Sequence, residues 1–226
     1  MTDRSAYVLL PFLLPQVPVA ALVPLGEEKA FARGEILCHR GELASCCYAV
    51  LSGYVAGYGR STAAEEHVES LMGPGCFFLA ASMLLDKPAP LMLRTLAPCR
   101  LSCIPRQALR QAIHASPDAA AAYAEAVALN CTCAMEQARN ARNHSAAWNA
   151  CDFLLRLTAR QAQNRDGMVR IHEPEGPLSL SQMLGGAAEE VRLVFKSLRD
   201  EGLLLRQGGD WYLASLDALT RYRDTL

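Results

Sequence analysis

The chain has almost no net charge: 22 Lys and Arg stand against 23 Asp and Glu, a formal balance of −1. The global basic excess that marks many nucleic-acid binders is missing, so any attraction to phosphate must come from local arrangement. Residues 1–37 contain no cysteine. The nine cysteines further on, among them Cys46-Cys47, Cys99-x3-Cys103 and Cys131-x-Cys133, follow no zinc-module or secreted-disulfide spacing. They read as buried, reduced small hydrophobes in a cytoplasmic protein. No unbroken apolar run is long enough to cross a bilayer, because Tyr7–Leu25 is interrupted by Pro11, Pro15, Pro18 and Pro24. That segment is expected to form short, broken helices on a core. No nucleophile–base pair, phosphate loop or metal-ligand spacing stands out, and His144 and His172 are isolated, so an enzyme is not expected and no metal site is assigned.

What is present is apolar: 51% of the 226 residues are hydrophobic, which excludes disorder and permits one large or two modest domains. The organising stretch runs from Pro117 to His144, alanine-rich and without internal glycine or proline. Ser116 before Pro117 fits an N-cap followed by proline at the first helical position. The a/d series Ala120, Ala124, Val127, Cys131, Ala134, Ala138, Ala141 forms a small-residue seam suited to close approach of a second helix. The spacing therefore predicts a helical spine that joins two domains and pairs with its counterpart in a homodimer.

Residues 31–104 read as short strands joined by tight turns. Phe31–Leu37, Tyr48–Tyr58 around Gly53, Gly73-Pro74-Gly75 before Phe77, and two strands within Leu91–Ile104 suggest a small antiparallel barrel or jelly roll. A helix is expected at Arg106–Ala115 and another at Ala146–Gln163. Beyond a short strand at Met168–His172, helices at Leu178–Gly185 and Ala187–Gly202 flank Gly185-Gly186, a helix-turn-helix signal. Leu203–Arg206, a Gly208-Gly209 turn and Trp211–Ala214 complete a winged arrangement. The fold class is thus α+β: residues 1–116 a β-rich sensor domain, 117–144 the dimerisation helix, and 145–226 a winged helix-turn-helix domain.

Phe31-x2-Gly34-x-Ile36-x4-Gly41-Glu42, Tyr48-x-Val50-x2-Gly53-x-Val55, Gly73-Pro-Gly75-x-Phe77, Ser116-Pro117-Asp118 and Val191-x6-Leu198-x3-Gly202-Leu203 occur in order over about 180 residues. In this set the chain resembles the CRP/FNR (cyclic-AMP receptor/fumarate-nitrate regulator) superfamily of bacterial transcription regulators. The resemblance implies a cyclic-nucleotide-binding-like β-barrel, a dimerising helix and a DNA-binding winged helix. It also implies a homodimer on palindromic double-stranded DNA, RNA polymerase as a further partner, a small-molecule effector, and no membrane.

The resemblance also carries departures. The glutamate that holds the ribose in cyclic-AMP-binding members falls at Ala80, and the phosphate-binding Arg-Ser pair near Ala89-Pro90. The spine positions that would meet adenine are Ala134 and Met135, without a hydroxyl. Cyclic AMP is disfavoured, since a cyclic phosphate needs a cation and donors. An apolar effector pocket of Phe78, Leu79, Ala80, Met83, Leu91, Met92, Ala134 and Met135 is expected, or else a filled barrel core. Haem remains open, with His39, His67 and Cys76 as candidate ligands, whereas the cysteine-free N-terminus excludes the family's iron–sulfur cluster. Thiol redox, for instance at Cys131 on the seam, is a further input.

In the second helix of the winged domain Val191, Val194, Phe195 and Leu198 face inward. Glu189, Arg192, Lys196 and Arg199 share another face. Arg192 and Glu189 are assigned to base edges, Lys196 and Arg199 to phosphates, and Ser179 to a cap touching the backbone. Against the family's Arg-Glu-x3-Arg pattern the sequence has Ala188, Glu189 and Leu193, so only the glutamate survives. From Leu178 onward six basic side chains meet seven acidic ones. The rival reading is a ligand-sensing or partner-binding dimer that keeps the fold without binding DNA.

Overall fold

The computed structural model describes residues 12–60, 66–159, 168–171, 188–208 and 210–226. The chain is α+β and divides into two compact units, one of Leu14–Glu136 and one of Gln137–Leu226 with Phe12–Leu13.

In the first unit eight strands form two antiparallel sheets. One carries β6 (Glu66–Met72), β5 (Val55–Arg60), β8 (Met92–Thr95) and β3 (Ile36–Cys38) in that order. The other carries β2 (Glu27–Phe31), β9 (Cys99–Pro105), β4 (Cys46–Ser52) and β7 (Phe77–Phe78). Both sheets feed one core, with Val55, Met72 and Leu93 from the first meeting Cys47, Val50, Leu101 and Phe77 from the second. This is the jelly-roll-like barrel that the short strands and glycine turns predict.

Two glycines show why the turns read so clearly. Gly75 takes φ 82° as the third residue of the Gly73-Pro74-Gly75-Cys76 turn, closed by the Cys76 N–H on the Gly73 carbonyl at 3.0 Å. Proline second and a left-handed residue third is the type II pattern. Gly53 takes φ 81°, and a Cβ there would lie 2.5 Å from the Pro98 carbonyl oxygen. Neither place tolerates a side chain.

Of the N-terminal run Tyr7–Leu25, residues 7–11 lie outside the described residues; the rest holds the two-residue strand β1 (Phe12–Leu13) and one short 3₁₀ helix, Val23–Leu25, packed against the core. The prolines remove the donors that a longer helix requires. After β7 comes a short helix the sequence reading missed, α1 (Ala80–Leu84). Asp86 follows it and ion-pairs with Arg106, and with Arg110 at 3.9 Å, both on α2 (Arg106–Ala115).

The spine is α3 (Pro117–Asn143), 27 residues and about 40 Å long. Ser116 Oγ accepts from the Ala119 N–H at 3.3 Å, so the expected cap forms. Ala119, Ala122 and Ala126 are buried, a stripe at helical spacing.

In the second unit α4 (Ala146–Thr158) is capped by Ser145, whose Oγ accepts from the Trp148 N–H at 3.1 Å. The described helix runs to Thr158, and residues 160–167, the expected end at Gln163 among them, lie outside the described residues. Strands β10 (Val169–Ile171), β11 (Leu204–Gln207) and β12 (Asp210–Leu213) form a sheet in the order β10-β12-β11. Before the β11–β12 hairpin runs α5 (Ala188–Asp200), and α6 (Leu216–Arg223), unread in the sequence, closes the chain. α5 ends where Gly202, at φ 69°, lets its N–H reach the Arg199 carbonyl and the Leu203 N–H reach that of Leu198. That pairing is a Schellman stop.

Candidate effector and nucleic-acid sites

The β7–α1 corner positions the residues expected to meet an effector. Phe78 pairs with Tyr48 across β7 and β4, their rings stacked with centroids 5.4 Å apart. Phe78, Ala80 and Met83 are buried core members, and Leu79, Leu91 and Met92 are half-buried. Ala134 and Met135 stand exposed on α3, Met135 at 69%. The structure therefore gathers part of the expected pocket and leaves its two helix positions in solvent. The physical reason is that α3 buries Ala119, Ala122 and Ala126, while Met135 lies on the exposed side.

Ala80 offers no carboxylate, and the Ala89 N–H is already given to the Glu42 carbonyl at 2.8 Å. The Ala89 carbonyl in turn accepts from the Gly41 N–H at 2.8 Å. Arg94 lies over the Tyr58 ring, 4.2 Å from its centroid, a cation–π placement. Lys87 is exposed.

Two features of the corner escaped the sequence reading. Leu79 adopts φ 69°, the left-handed region that glycine favours. Asn130 on α3 donates its Nδ2 to the Phe77 carbonyl at 3.0 Å, while its Oδ1 is buried without a partner among the described residues. Backbone angle and long-range pairing leave no mark on residue spacing.

Of the candidate haem ligands, His39 is exposed and the His67 side chain lies outside the described residues. The buried Cys76 thiol donates to the Leu14 carbonyl at 3.2 Å. Burial pushes the Cys47 and Cys151 thiols up to about 12, and those of Cys38 and Cys103 to about 11. Cys131 is exposed and Cys133 partly so.

On the seam Ala124, Cys131, Ala134 and Ala138 are exposed, and Ala120 and Val127 half-buried. In α5 Val194, Phe195 and Leu198 are buried, whereas Leu193, Lys196 and Arg199 are exposed. The helix begins at Ala188, but the side chains of Ala188, Glu189 and Arg192 lie outside the described residues, as do Ser179 and the expected helix Leu178–Gly185. In the hairpin Arg206 lies over Trp211, 5.5 Å from the ring centroid. Among the described residues no helix is long and apolar enough to cross a membrane, and no cluster of His, Cys, Asp or Glu could hold a metal ion.

Residues 28–116 match the family model of the cyclic nucleotide-binding domain. In fold the chain is similar, over most of its length, to solved CRP/FNR-family transcription regulators. It is similar to FixK2 from Bradyrhizobium japonicum, with TM-score 0.72 and 20% identity over 87% of this chain and 96% of that one. TTHA1359, a CRP/FNR-family transcriptional regulator from Thermus thermophilus, aligns with TM-score 0.69 and 20% identity over 88% and 98%. CprK complexed with OCPA aligns with TM-score 0.63 and 15% identity over 94% and 98%. None of the curated proteins matches the sequence significantly.

Proposed function

We propose that the protein is a homodimeric, DNA-binding transcription regulator of the CRP/FNR type whose signal is not cyclic AMP. The observation that carries the reading is the full-length likeness in fold, joined to an α5 that buries Val194, Phe195 and Leu198 while presenting Lys196 and Arg199 to solvent. Such a helix is built to lie in a major groove, with Lys196 and Arg199 on phosphates and Arg192 and Glu189 on base edges. The exposed small residues Ala124, Cys131, Ala134 and Ala138 of α3 support pairing with a second copy. A dimer would read two half-sites about one helical turn apart.

The absent carboxylate at Ala80 and the occupied Ala89 N–H support a signal other than a cyclic nucleotide. An apolar small molecule fits the buried Phe78 and Met83 best, and the same fold in CprK is complexed with OCPA. The effector would shift the balance between two settings of α3 and so of the reading helices.

The test is a titration of full-length protein against fragments of its own genome, with and without reductant and cell extract. Recovery of a palindromic site that an Arg192→Ala/Glu189→Ala variant no longer retains is the expected result. Retention of nothing, even with extract, overturns the regulator and leaves a sensing dimer without DNA.

A further inference from the structure

Among the described side chains of α5, three charged ones and one apolar one face solvent: Lys196, Arg199, Asp200 and Leu193. Leu193 is 57% exposed. A single exposed leucine is ordinary on a protein surface, but the placement of this one is not. Val194, Phe195 and Leu198 are buried and mark the side of α5 that packs on its own unit. At 3.6 residues per turn Leu193 lies about 150° from the centre of that stripe. Lys196 and Arg199 follow it at three-residue steps, so two cations run along the flank of the leucine. Leu193 is also the sixth of the 13 residues of α5. It thus falls in the N-terminal half, the half that meets base edges when such a helix enters a major groove. Asp200, the last residue, stands at the far end.

The chemistry of the groove restricts what Leu193 can meet. Every base pair presents hydrogen-bond donors and acceptors there, and the one apolar group on offer is the C5 methyl of thymine. A leucine set against donors or acceptors strips them of water and returns no hydrogen bond, which is costly. Set against the methyl, it removes apolar surface from water on both sides.

We propose that Leu193 is a specificity-determining residue that reads one thymine in each half-site by contact with its C5 methyl. The inference rests on the reading of α5 as a DNA-reading helix. To the hydrogen-bonding contacts assigned to Arg192 and Glu189 it adds an apolar one. Lys196 and Arg199, exposed beside it, supply the phosphate contacts that hold the helix in the groove.

The probe is the palindromic fragment that full-length protein retains from its own genome. Each thymine is replaced in turn, symmetrically in both half-sites, by deoxyuridine, which lacks the C5 methyl and keeps every hydrogen-bonding group. Binding is followed by fluorescence anisotropy. One such replacement is expected to weaken the wild type about fifteenfold, about fourfold for each half-site, the worth of one buried methyl group. Leu193→Ser changes an exposed position and leaves the fold intact. It is expected to bind the thymine and uracil fragments alike, with an unchanged slope of log affinity against log salt, because the phosphate contacts remain. A wild type indifferent to every thymine-to-uracil change overturns the inference, as does a uracil penalty that persists in Leu193→Ser. Either result, with a palindrome retained, leaves the regulator standing and fails Leu193 alone. Retention of no fragment, even with cell extract, overturns the regulator and this inference together.

Discussion

Asn149 holds Asn140 by its backbone: the Asn149 side-chain amide donates to the Asn140 carbonyl at 3.3 Å, and also to the carbonyls of His144 at 3.2 Å and Ser145 at 3.0 Å. Of the three only Asn140, itself buried, lies within α3, and its carbonyl also accepts the His144 N–H at 3.0 Å. That of Ser145 also accepts the Asn149 backbone N–H at 3.0 Å, so the amide adds a further donor across the α3–α4 turn. That side chain spans the turn from α3 into α4.

Asn149→Ala is expected to destabilise the unit by about 1–2 kcal/mol, since it leaves those carbonyls with fewer donors. Thermal unfolding monitored by circular dichroism reads the loss as a lower Tm. An unchanged Tm would mean that water replaces the amide without penalty.

Leu79 reverses a familiar order of stability. At an ordinary position glycine is less stable than alanine, but φ 69° penalises any Cβ. Leu79→Gly is therefore expected to exceed Leu79→Ala by about 1 kcal/mol in chemical denaturation, the two variants having lost similar packing.

The buried thiols make stability fall at high pH. Cys47 and Cys151 are pushed to about 12, and Cys38 and Cys103 to about 11, from an ordinary 9.0. Each binds its proton more tightly folded than unfolded. Its contribution is thus complete below about 9 and is lost as pH rises through the folded value of about 11 to 12. Tm measured between pH 8 and pH 11 is expected to decline, and Cys47→Ala to flatten that decline. At pH 8 a maleimide should label Cys131 before any of the four buried thiols.

Lys196 is exposed on α5 and assigned to phosphate. Lys196→Ala is expected to weaken binding about equally across site sequences and to lower the slope of log affinity against log salt by about 1. Arg192→Ala should instead relax the choice of base at one position of each half-site, at about 1–3 kcal/mol. Fluorescence anisotropy over a salt series distinguishes the two.

Much of the architecture was legible in the sequence because it rests on local chemistry. The Gly73-Pro74-Gly75 turn, the Ser116-Pro117 cap and the helix Arg106–Ala115 are each specified by neighbouring residues. Helix α1 was not, since Ala80–Leu84 is too short for a periodic signal and begins from a left-handed Leu79 that no propensity would suggest. The N-terminal run misled for the opposite reason. Its apolar content suggested several short helices, and among the described residues Pro15, Pro18 and Pro24 leave room for one 3₁₀ turn.

By itself the sequence determined the short strands of the barrel, the small-residue spine and the inward Val194, Phe195 and Leu198 of α5, which follow from residue type at fixed spacing, while the missing ribose-binding acid at Ala80 is what the family resemblance implies. Only the tertiary structure decided that the Ala89 N–H is spent on Glu42, that Met135 faces solvent, and that Asn130 holds Phe77 while its own oxygen goes unanswered. Those are relations between residues 47 to 53 positions apart, or between a side chain and the solvent. They come into being when the strands pair and the helix packs, since local preference carries no term for them.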